Sequence, residues 1–157
     1  MLKLNGFSRV LLAALLSISF VQTVNAEPTA TLTVVVKGIS SQKGEICMGI
    51  YSRAKGFPMS TEDVLKSACV QPQGNTLTHI FSGLKPGTYA VAVVDDQNGD
   101  RKLNKDFIGI PKEGFGLSRN PTVSIATGTP SFYDASFILM QNQNTKINIL
   151  MKYSLDS

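Results

Sequence analysis

The sequence predicts an all-β fold, a single β-sandwich of about seven strands with a long ordered loop after its central strand. Short runs of β-branched and other apolar residues recur along the chain, and turn-forming residues separate them. No segment of useful length has the helical period, and no internal repeat occurs at a fixed spacing. Frequent turns between short strands favour a sandwich over an α/β fold.

The chain begins with a segment typical of a secretory signal peptide, residues 1–26. Lys3 and Arg9 give a positive start, and a short apolar run then leads to small residues ending at Ala26. The run is short for a membrane span. We therefore expect cleavage after Ala26 and one mature domain, 27–157, that is periplasmic or secreted. No later segment is apolar enough to cross a bilayer, so we expect no transmembrane segment after cleavage.

The charge of the mature domain is small. The full chain has 15 basic and 11 acidic residues, a formal net charge of +4, and loss of Lys3 and Arg9 leaves 13 against 11, or +2. No basic run is interleaved with aromatic residues. Composition therefore predicts no nucleic-acid partner, and an envelope or extracellular partner is expected instead.

Two early segments, 30–36 and 45–52, alternate or are rich in β-branched residues, and we predict that they pair as a hairpin. Residues 60–63 are predicted to cap one short helical turn, with Val64 and Leu65 packing inward. The remaining strand candidates in this part of the chain and at its end are a short segment around Cys69, 76–81 and 146–151.

The segment 88–94 is apolar on both faces, which is typical of a central strand. It runs directly into the polar connection 95–121, so this connection has a rigid base. Gly109, Gly114 and Gly116 within it indicate special backbone angles or close approach of another segment.

Cys47 and Cys69 are the two cysteines, and they lie in two different strand candidates. In an oxidising compartment an even pair favours a disulfide, which would stabilise the fold by about 3 kcal/mol. A metal pair or a catalytic thiol are the alternatives, but neither has supporting ligands nearby. The single histidine, His79, receives no role.

Asp96, Asn98 and Asp100 occupy alternate positions in the polar connection, and Asn104 follows four residues later. Calcium binds roughly six to eight oxygens from carboxylates, amides, backbone carbonyls and water. The pattern therefore predicts a calcium site, with the backbone carbonyl of Lys102 as a further ligand.

Other residues of the connection oppose a calcium site. Arg101 stands where helix-loop-helix calcium loops require glycine, and Phe107 stands where they place a bidentate glutamate. Neighbouring basic residues also offset most of the acidic charge. Alternatively, Asn98-Gly99 is simply a turn and the acids are solvated. Glu113 is a candidate to complete a metal site from across the loop.

The sequence favours a non-enzymatic domain with a binding or structural role in the cell envelope. A second hypothesis is a carbohydrate- or envelope-binding module that uses aromatic contacts. Its candidate residues are Tyr89, Phe107, Phe115 and Tyr133. The absence of tryptophan counts against this module.

Catalysis has little support in the sequence. There is one histidine, and neither a Gly-x-Ser-x-Gly motif nor a histidine-rich metal cluster is present. A hydrolase that uses Asp96 and Glu113 as a carboxylate pair is the remaining, third hypothesis.

Several short motifs occur together in the second half of the chain: 87–89, 96–99, 102–103, 109–116 (GIPKEGFG), 117–118 and 130–135. Together they resemble the bacterial family filed as domain of unknown function 2141. The resemblance covers nearly the whole mature chain, and the run 109–116 (GIPKEGFG) is its most specific part. It implies an exported β-sandwich of the Ig-like or transthyretin-like type, similar to carboxypeptidase-regulatory-like domains, and it implies no established activity.

Overall fold

The computed structural model describes residues 29–156. The predicted signal peptide, 1–26, lies outside them. Eight strands and one short helix form the chain's regular structure within the described range. They are β1 (Ala30–Lys37), β2 (Glu45–Tyr51), β3 (Lys66–Val70), β4 (Thr76–Leu84), β5 (Gly87–Asp96), β6 (Phe115–Leu117), α1 (Phe132–Ala135), β7 (Phe137–Leu139) and β8 (Asn144–Leu150).

The strands form two sheets, which confirms the predicted all-β sandwich. The smaller sheet has the order β4-β1-β8, with β1 antiparallel to β4 and parallel to β8. The larger sheet has the order β3-β2-β5-β6, and β7 pairs with the beginning of β5 beside β6. Strand β5 is therefore central, as its two apolar faces predict.

The core lies between the two sheets and follows the period of two along each strand. Ile46, Met48 and Ile50 of β2 are almost fully buried and meet Leu32 and Val34 of β1 in one apolar cluster. Each fully buried aliphatic side chain stabilises the fold by roughly 1.5–3 kcal/mol. A second, smaller cluster lies on the outer face of the larger sheet, where α1 packs against β5.

The predicted hairpin between the first two strands is wrong. β1 pairs with β4 and β8, whereas β2 pairs with β3 and β5. Both strands turn an apolar face toward the same core, so the connection between them crosses from one sheet to the other. Alternation records which face is buried, but it does not identify the neighbouring strand.

The predicted helical turn at 60–63 is also not formed, and the segment contains only turns and bends. The Asp63 N–H does donate to Ser60 Oγ at 3.3 Å, as a cap would. However, the Leu65 N–H donates to the Ile50 carbonyl at 2.8 Å, so the backbone already follows β2 there. Val64 packs against the outer cluster as predicted, but Leu65 is 52% exposed.

The sequence also did not predict β6, which forms inside the glycine-rich second half of the connection. A Cβ atom at Gly116 would lie 2.6 Å from Ile149 Cγ2, and one at Gly114 would collide with the ring of Tyr153. Close approach, one of the two explanations predicted for these glycines, therefore accounts for both. Gly109 represents the other explanation, with φ of 87°.

The disulfide between Cys47 and Cys69 is confirmed. The two residues face each other on neighbouring strands β2 and β3, with Sγ atoms 2.04 Å apart and Cα atoms 4.0 Å apart. No described helix has the length and apolar character that crossing a bilayer requires.

Candidate functional site

The connection between β5 and β6, residues 97–114, is called here the acidic loop. Two buried carboxylates hold its ends. Asp96 accepts hydrogen bonds from the N–H groups of Gly99 and Arg101, both at 2.8 Å. Glu113 accepts from the N–H groups of Gln97 at 3.2 Å and Asn104 at 3.0 Å. Both acids therefore satisfy backbone donors that the turning loop leaves without strand partners.

Three of the predicted calcium ligands, Asn98, Asp100 and Asn104, come together on the loop surface. Asn104 Nδ2 donates to Asp100 Oδ2 at 2.8 Å, and Asn98 Nδ2 donates to Asn104 Oδ1 at 2.8 Å. The hydrogen bond from Asn104, followed by that from the Lys102 N–H, lowers the pKa of the Asp100 carboxyl. Asp96 does not join this cluster because both of its oxygens hold backbone N–H groups. Lys102 contributes its N–H here, at 2.9 Å from Asp100 Oδ1.

The second half of the acidic loop closes on itself. Asp106 Oδ1 accepts from the N–H groups of Ile108 and Ile110 at 3.0 and 2.8 Å. Lys105 and Pro111 form an isolated antiparallel bridge. The tip carries Phe107, which is 99% exposed. Acidic side chains thus order this half as well as the first.

The four basic residues of the loop are all exposed. They are Arg101, Lys102, Lys105 and Lys112. Within residues 29–156, Arg101 and Lys105 form no ion pair. Arg101 also has a left-handed backbone, with φ of 60°. The loop is nearly neutral in sequence, yet the structure separates its charges.

The outer face of the larger sheet carries a groove beneath the acidic loop, which we call the outer groove. Its floor is made of small residues, since Ala92 of β5 lies opposite Gly49 of β2 and beside Val94. Two adjacent cavities of about 250 and 300 Å³ occupy it. The residues that line both are Pro58, Met59, Ala92, Val94 and Leu103.

Loops from distant parts of the chain form the walls of the outer groove. The first cavity is closed by apolar residues of the acidic loop, including Ile108 and Ile110, and by Val123 and Ile125 of the later connection. The second cavity lies over the Cys47–Cys69 disulfide. Ile108 and Ile125 remain 65% and 80% exposed, so the mouth of the first cavity is apolar.

The charged residues that line the outer groove are all basic. Arg101 and Lys102 line the second cavity and Lys105 lines the first, whereas no aspartate or glutamate among residues 29–156 lines either cavity. The aromatic side chains of the lining, Tyr51 and Phe115, are 3% and 6% exposed, so neither offers an open ring face. The groove therefore combines an apolar interior with a basic rim.

The aromatic residues proposed for carbohydrate contact separate into two pairs. Tyr89 and Phe115 are 5% and 6% exposed and pack into the fold, so neither ring is open to a carbohydrate as the second hypothesis requires. Tyr89 belongs to the core between the sheets, whereas Phe115 lines the first cavity of the outer groove. Phe107 and Tyr133 are exposed, and Tyr133 lies beside a shallow polar surface with Arg119.

A further buried carboxylate, Asp95, lies at the end of β5 on the core side. It is fully buried, and its Oδ2 accepts a hydrogen bond from the Tyr153 hydroxyl at 2.8 Å. That hydroxyl accepts in turn from the Ser40 N–H at 2.9 Å. The other oxygen, Oδ1, has no partner among the described residues. This contact fastens the C-terminal segment to the sandwich.

Within the described residues, Glu45, Cys47 and Cys69 are the one group of three acidic, cysteine or histidine side chains close enough to share a metal ion. Their ligand atoms lie within 4.8 Å of one another. Both sulfurs belong to the disulfide, so neither is a thiolate available for metal binding. His79 contacts the Phe81 ring, with ring centroids 4.6 Å apart, as a packed strand residue would.

Sequence reasoning did not find the outer groove, because its walls come from segments far apart in the chain. The available signal was the small residues at alternating outward positions of two strands, Gly49, Ala90 and Ala92. Large side chains at these positions would have filled the face.

Comparison with known proteins supports the resemblance seen in the sequence. The model of the family described as "Uncharacterized protein conserved in bacteria (DUF2141)" matches residues 34–148. Comparisons with curated proteins and with solved structures found no match.

Proposed function

The chain belongs to this bacterial family of uncharacterised proteins, and we propose that it is an exported, non-catalytic domain that binds an apolar ligand in the outer groove. The observation that supports this proposal is the pair of adjacent cavities on the outer face of the larger sheet. Their volumes of about 250 and 300 Å³ are close to the lower end, roughly 300 Å³, of small-molecule sites. Small floor residues and loop walls are typical of a pre-formed pocket.

Export is supported by the disulfide between Cys47 and Cys69, since such bonds persist mainly in oxidising compartments. The predicted cleavage after Ala26 agrees with it. A periplasmic or secreted location is therefore part of the proposal, and an envelope or extracellular molecule is the expected partner.

A non-catalytic role is supported by the use of the loop acids. Asp96 and Glu113 each hold two backbone N–H groups, so loop architecture accounts for both carboxylates. The third hypothesis, a hydrolase, would need at least one of them free for proton transfer. A broad hydrolase substrate screen tests this, and turnover abolished by Glu113→Gln would reverse the proposal.

A calcium ion in the acidic loop is a second proposal. Asn98, Asp100 and Asn104 are close together, and rotation of the two amide groups by half a turn would exchange their donors for oxygens. The cluster holds one carboxylate, Asp100, so the expected affinity is weak, with Kd on the order of 10⁻⁴–10⁻³ M. Calcium should then raise the melting temperature, and Asp100→Ala should abolish the rise. Equal melting temperatures with calcium and with chelator would refute calcium binding.

A carbohydrate-binding role is supported by the exposed Tyr133, which borders a polar surface. The groove lining, in contrast, has no open aromatic face on which a sugar ring stacks. We therefore favour an apolar ligand over a carbohydrate. Binding on a glycan array that is lost in Tyr133→Ala would favour it.

The test of the outer groove is a titration with an uncharged naphthylamine dye whose fluorescence rises in apolar surroundings. Ala92→Phe should abolish most of the rise, because the new ring fills the floor shared by both cavities. Ala54→Phe is the matched control, since Ala54 is exposed and lines neither cavity. Leu103→Gln tests the wall without adding bulk. Unchanged dye binding in folded Ala92→Phe and Leu103→Gln proteins would refute the proposed function.

A further inference from the structure

The charge distribution around the outer groove identifies a class of ligand. We infer that the groove binds a single-chain amphipathic anion, with the acyl chain in the two cavities and the anionic head at the basic rim. This inference rests on the proposed function, since it requires the groove to be the binding site. The inference specifies the charge and the shape of the ligand.

The shape follows from the arrangement of the cavities. They lie side by side and share the floor formed by Ala92 and Val94 and the wall formed by Leu103. The two cavities therefore meet along these shared residues and together offer about twice the space of either one. A flexible chain can follow both by rotation about single bonds, whereas a rigid ring system would occupy one cavity only. Each buried methylene group should tighten binding about fourfold.

The charge follows from the separation of acids and bases in the acidic loop. Lys105 lines the first cavity, and Arg101 and Lys102 line the second. Asp96 and Glu113 are committed to backbone N–H groups and do not line the groove. Lys102 lies near Asp100, whose charge partly offsets it. Arg101 and Lys105 remain as the cations available to a ligand.

The mouth of the first cavity supports entry of an acyl chain. Ile108 and Ile125 line the cavity and are also 65% and 80% exposed, and Phe107, which precedes Ile108 in the chain, is 99% exposed. Apolar side chains at an opening lower the cost of bringing an apolar chain in from water. A membrane surface would also contact such a tip, but surface contact would not require the enclosed space over Ala92.

The experiment compares three twelve-carbon probes below their micelle-forming concentrations: dodecanoate, dodecanol and dodecyltrimethylammonium. The wild-type chain should bind dodecanoate roughly tenfold more tightly than dodecanol, with the cation weakest. Arg101→Gln combined with Lys105→Gln should weaken dodecanoate binding roughly tenfold and leave dodecanol unchanged. Lys146→Gln is the matched control, because Lys146 is exposed on the other sheet.

The outcomes separate the two proposals. Equal affinities for dodecanoate and dodecanol, both lost in folded Ala92→Phe, would overturn the inference and leave the groove as a binding site. Binding of neither probe would overturn both. Co-sedimentation with phosphatidylglycerol–phosphatidylcholine vesicles that survives Ala92→Phe, without binding of dodecanoate, would replace the acyl ligand with a membrane surface. Binding of octanoate as tight as that of dodecanoate would contradict an acyl chain lying along both cavities.

Discussion

Removal of the Tyr153 hydroxyl should measurably destabilise the fold. Tyr153→Phe keeps the ring over Gly114 and deletes the hydroxyl that donates to the fully buried carboxylate of Asp95, 2.8 Å away. The hydroxyl also accepts from the Ser40 N–H, but Ser40 is exposed, so water can replace that acceptor. Since Asp95 Oδ1 already lacks a partner among the described residues, the change leaves both oxygens without one. Hydrogen bonds to charged groups contribute roughly 1.5–3 kcal/mol, so we expect a loss of about 2 kcal/mol.

The assay is urea denaturation followed by circular dichroism, together with the melting temperature. For a domain of this size, a loss of about 2 kcal/mol corresponds to a fall of roughly 6–10 °C. The other tyrosines provide controls. Tyr89→Phe removes a bond to the neutral Lys85 carbonyl, at 2.7 Å, and should cost about 1 kcal/mol. Tyr133→Phe removes an exposed hydroxyl and should cost almost nothing.

A double-mutant cycle separates the hydrogen bond from other effects. In the Tyr153→Phe background, Asp95→Leu replaces the unpartnered carboxylate with an apolar group and should recover part of the loss. The two changes should therefore couple by about 1 kcal/mol or more. The reasoning is refuted if Tyr153→Phe is as stable as Tyr133→Phe, because Asp95 would then not depend on the hydroxyl.

Three further predictions concern pH, redox state and backbone strain. Burial, with a smaller contribution from Asp63, raises the pKa of Tyr51 to about 12. Its neutral form stabilises the fold fully below pH 10, and this contribution should be lost as pH rises to about 12, so Tyr51→Phe should flatten the alkaline part of a stability–pH curve. Reduction of the disulfide should cost about 3 kcal/mol in urea unfolding, and the doubly substituted Cys47→Ser/Cys69→Ser protein should be insensitive to reductant. Arg101→Gly should raise stability by up to about 1 kcal/mol because glycine adopts the left-handed backbone without strain, whereas Arg101→Ala, which removes the same charge, should not.

The sequence predicted most of the strands but not which strands are neighbours. Alternation in 45–52 and the apolar faces of 88–94 were enough to predict β2 and β5, because the apolar pattern within a strand indicates which of its faces are buried. Strand neighbours were not, since β1 joins β8 across more than half of the chain. The strand β6 was hidden because glycines normally weaken strands, and only the nearby Tyr153 and Ile149 explain them.

In the acidic loop, too, the sequence identifies the polar side chains but not what they contact. Its alternating Asp96, Asn98 and Asp100 have the composition of a calcium loop, and composition cannot tell whether an oxygen meets a metal ion or an N–H group. In the structure the buried oxygens of Asp96 meet N–H groups, which satisfies the backbone of a long turning segment.

Because Asp96 and Glu113 bind backbone N–H groups, the basic residues of the loop lack these two carboxylates as partners. A carboxylate that holds two backbone donors beneath the loop is not available to neutralise a lysine on its surface, so a loop of nearly zero net charge presents a basic face. Arg101 and Lys105 then lie beside an apolar groove whose lining, in the described part of the chain, contains no carboxylate. Neutralising Asp96 alone, by Asp96→Asn, should therefore loosen the loop and weaken dodecanoate binding, although it makes the net charge more positive. A purely electrostatic attraction between the chain and the anion predicts the opposite change, and isothermal titration of the two proteins distinguishes them.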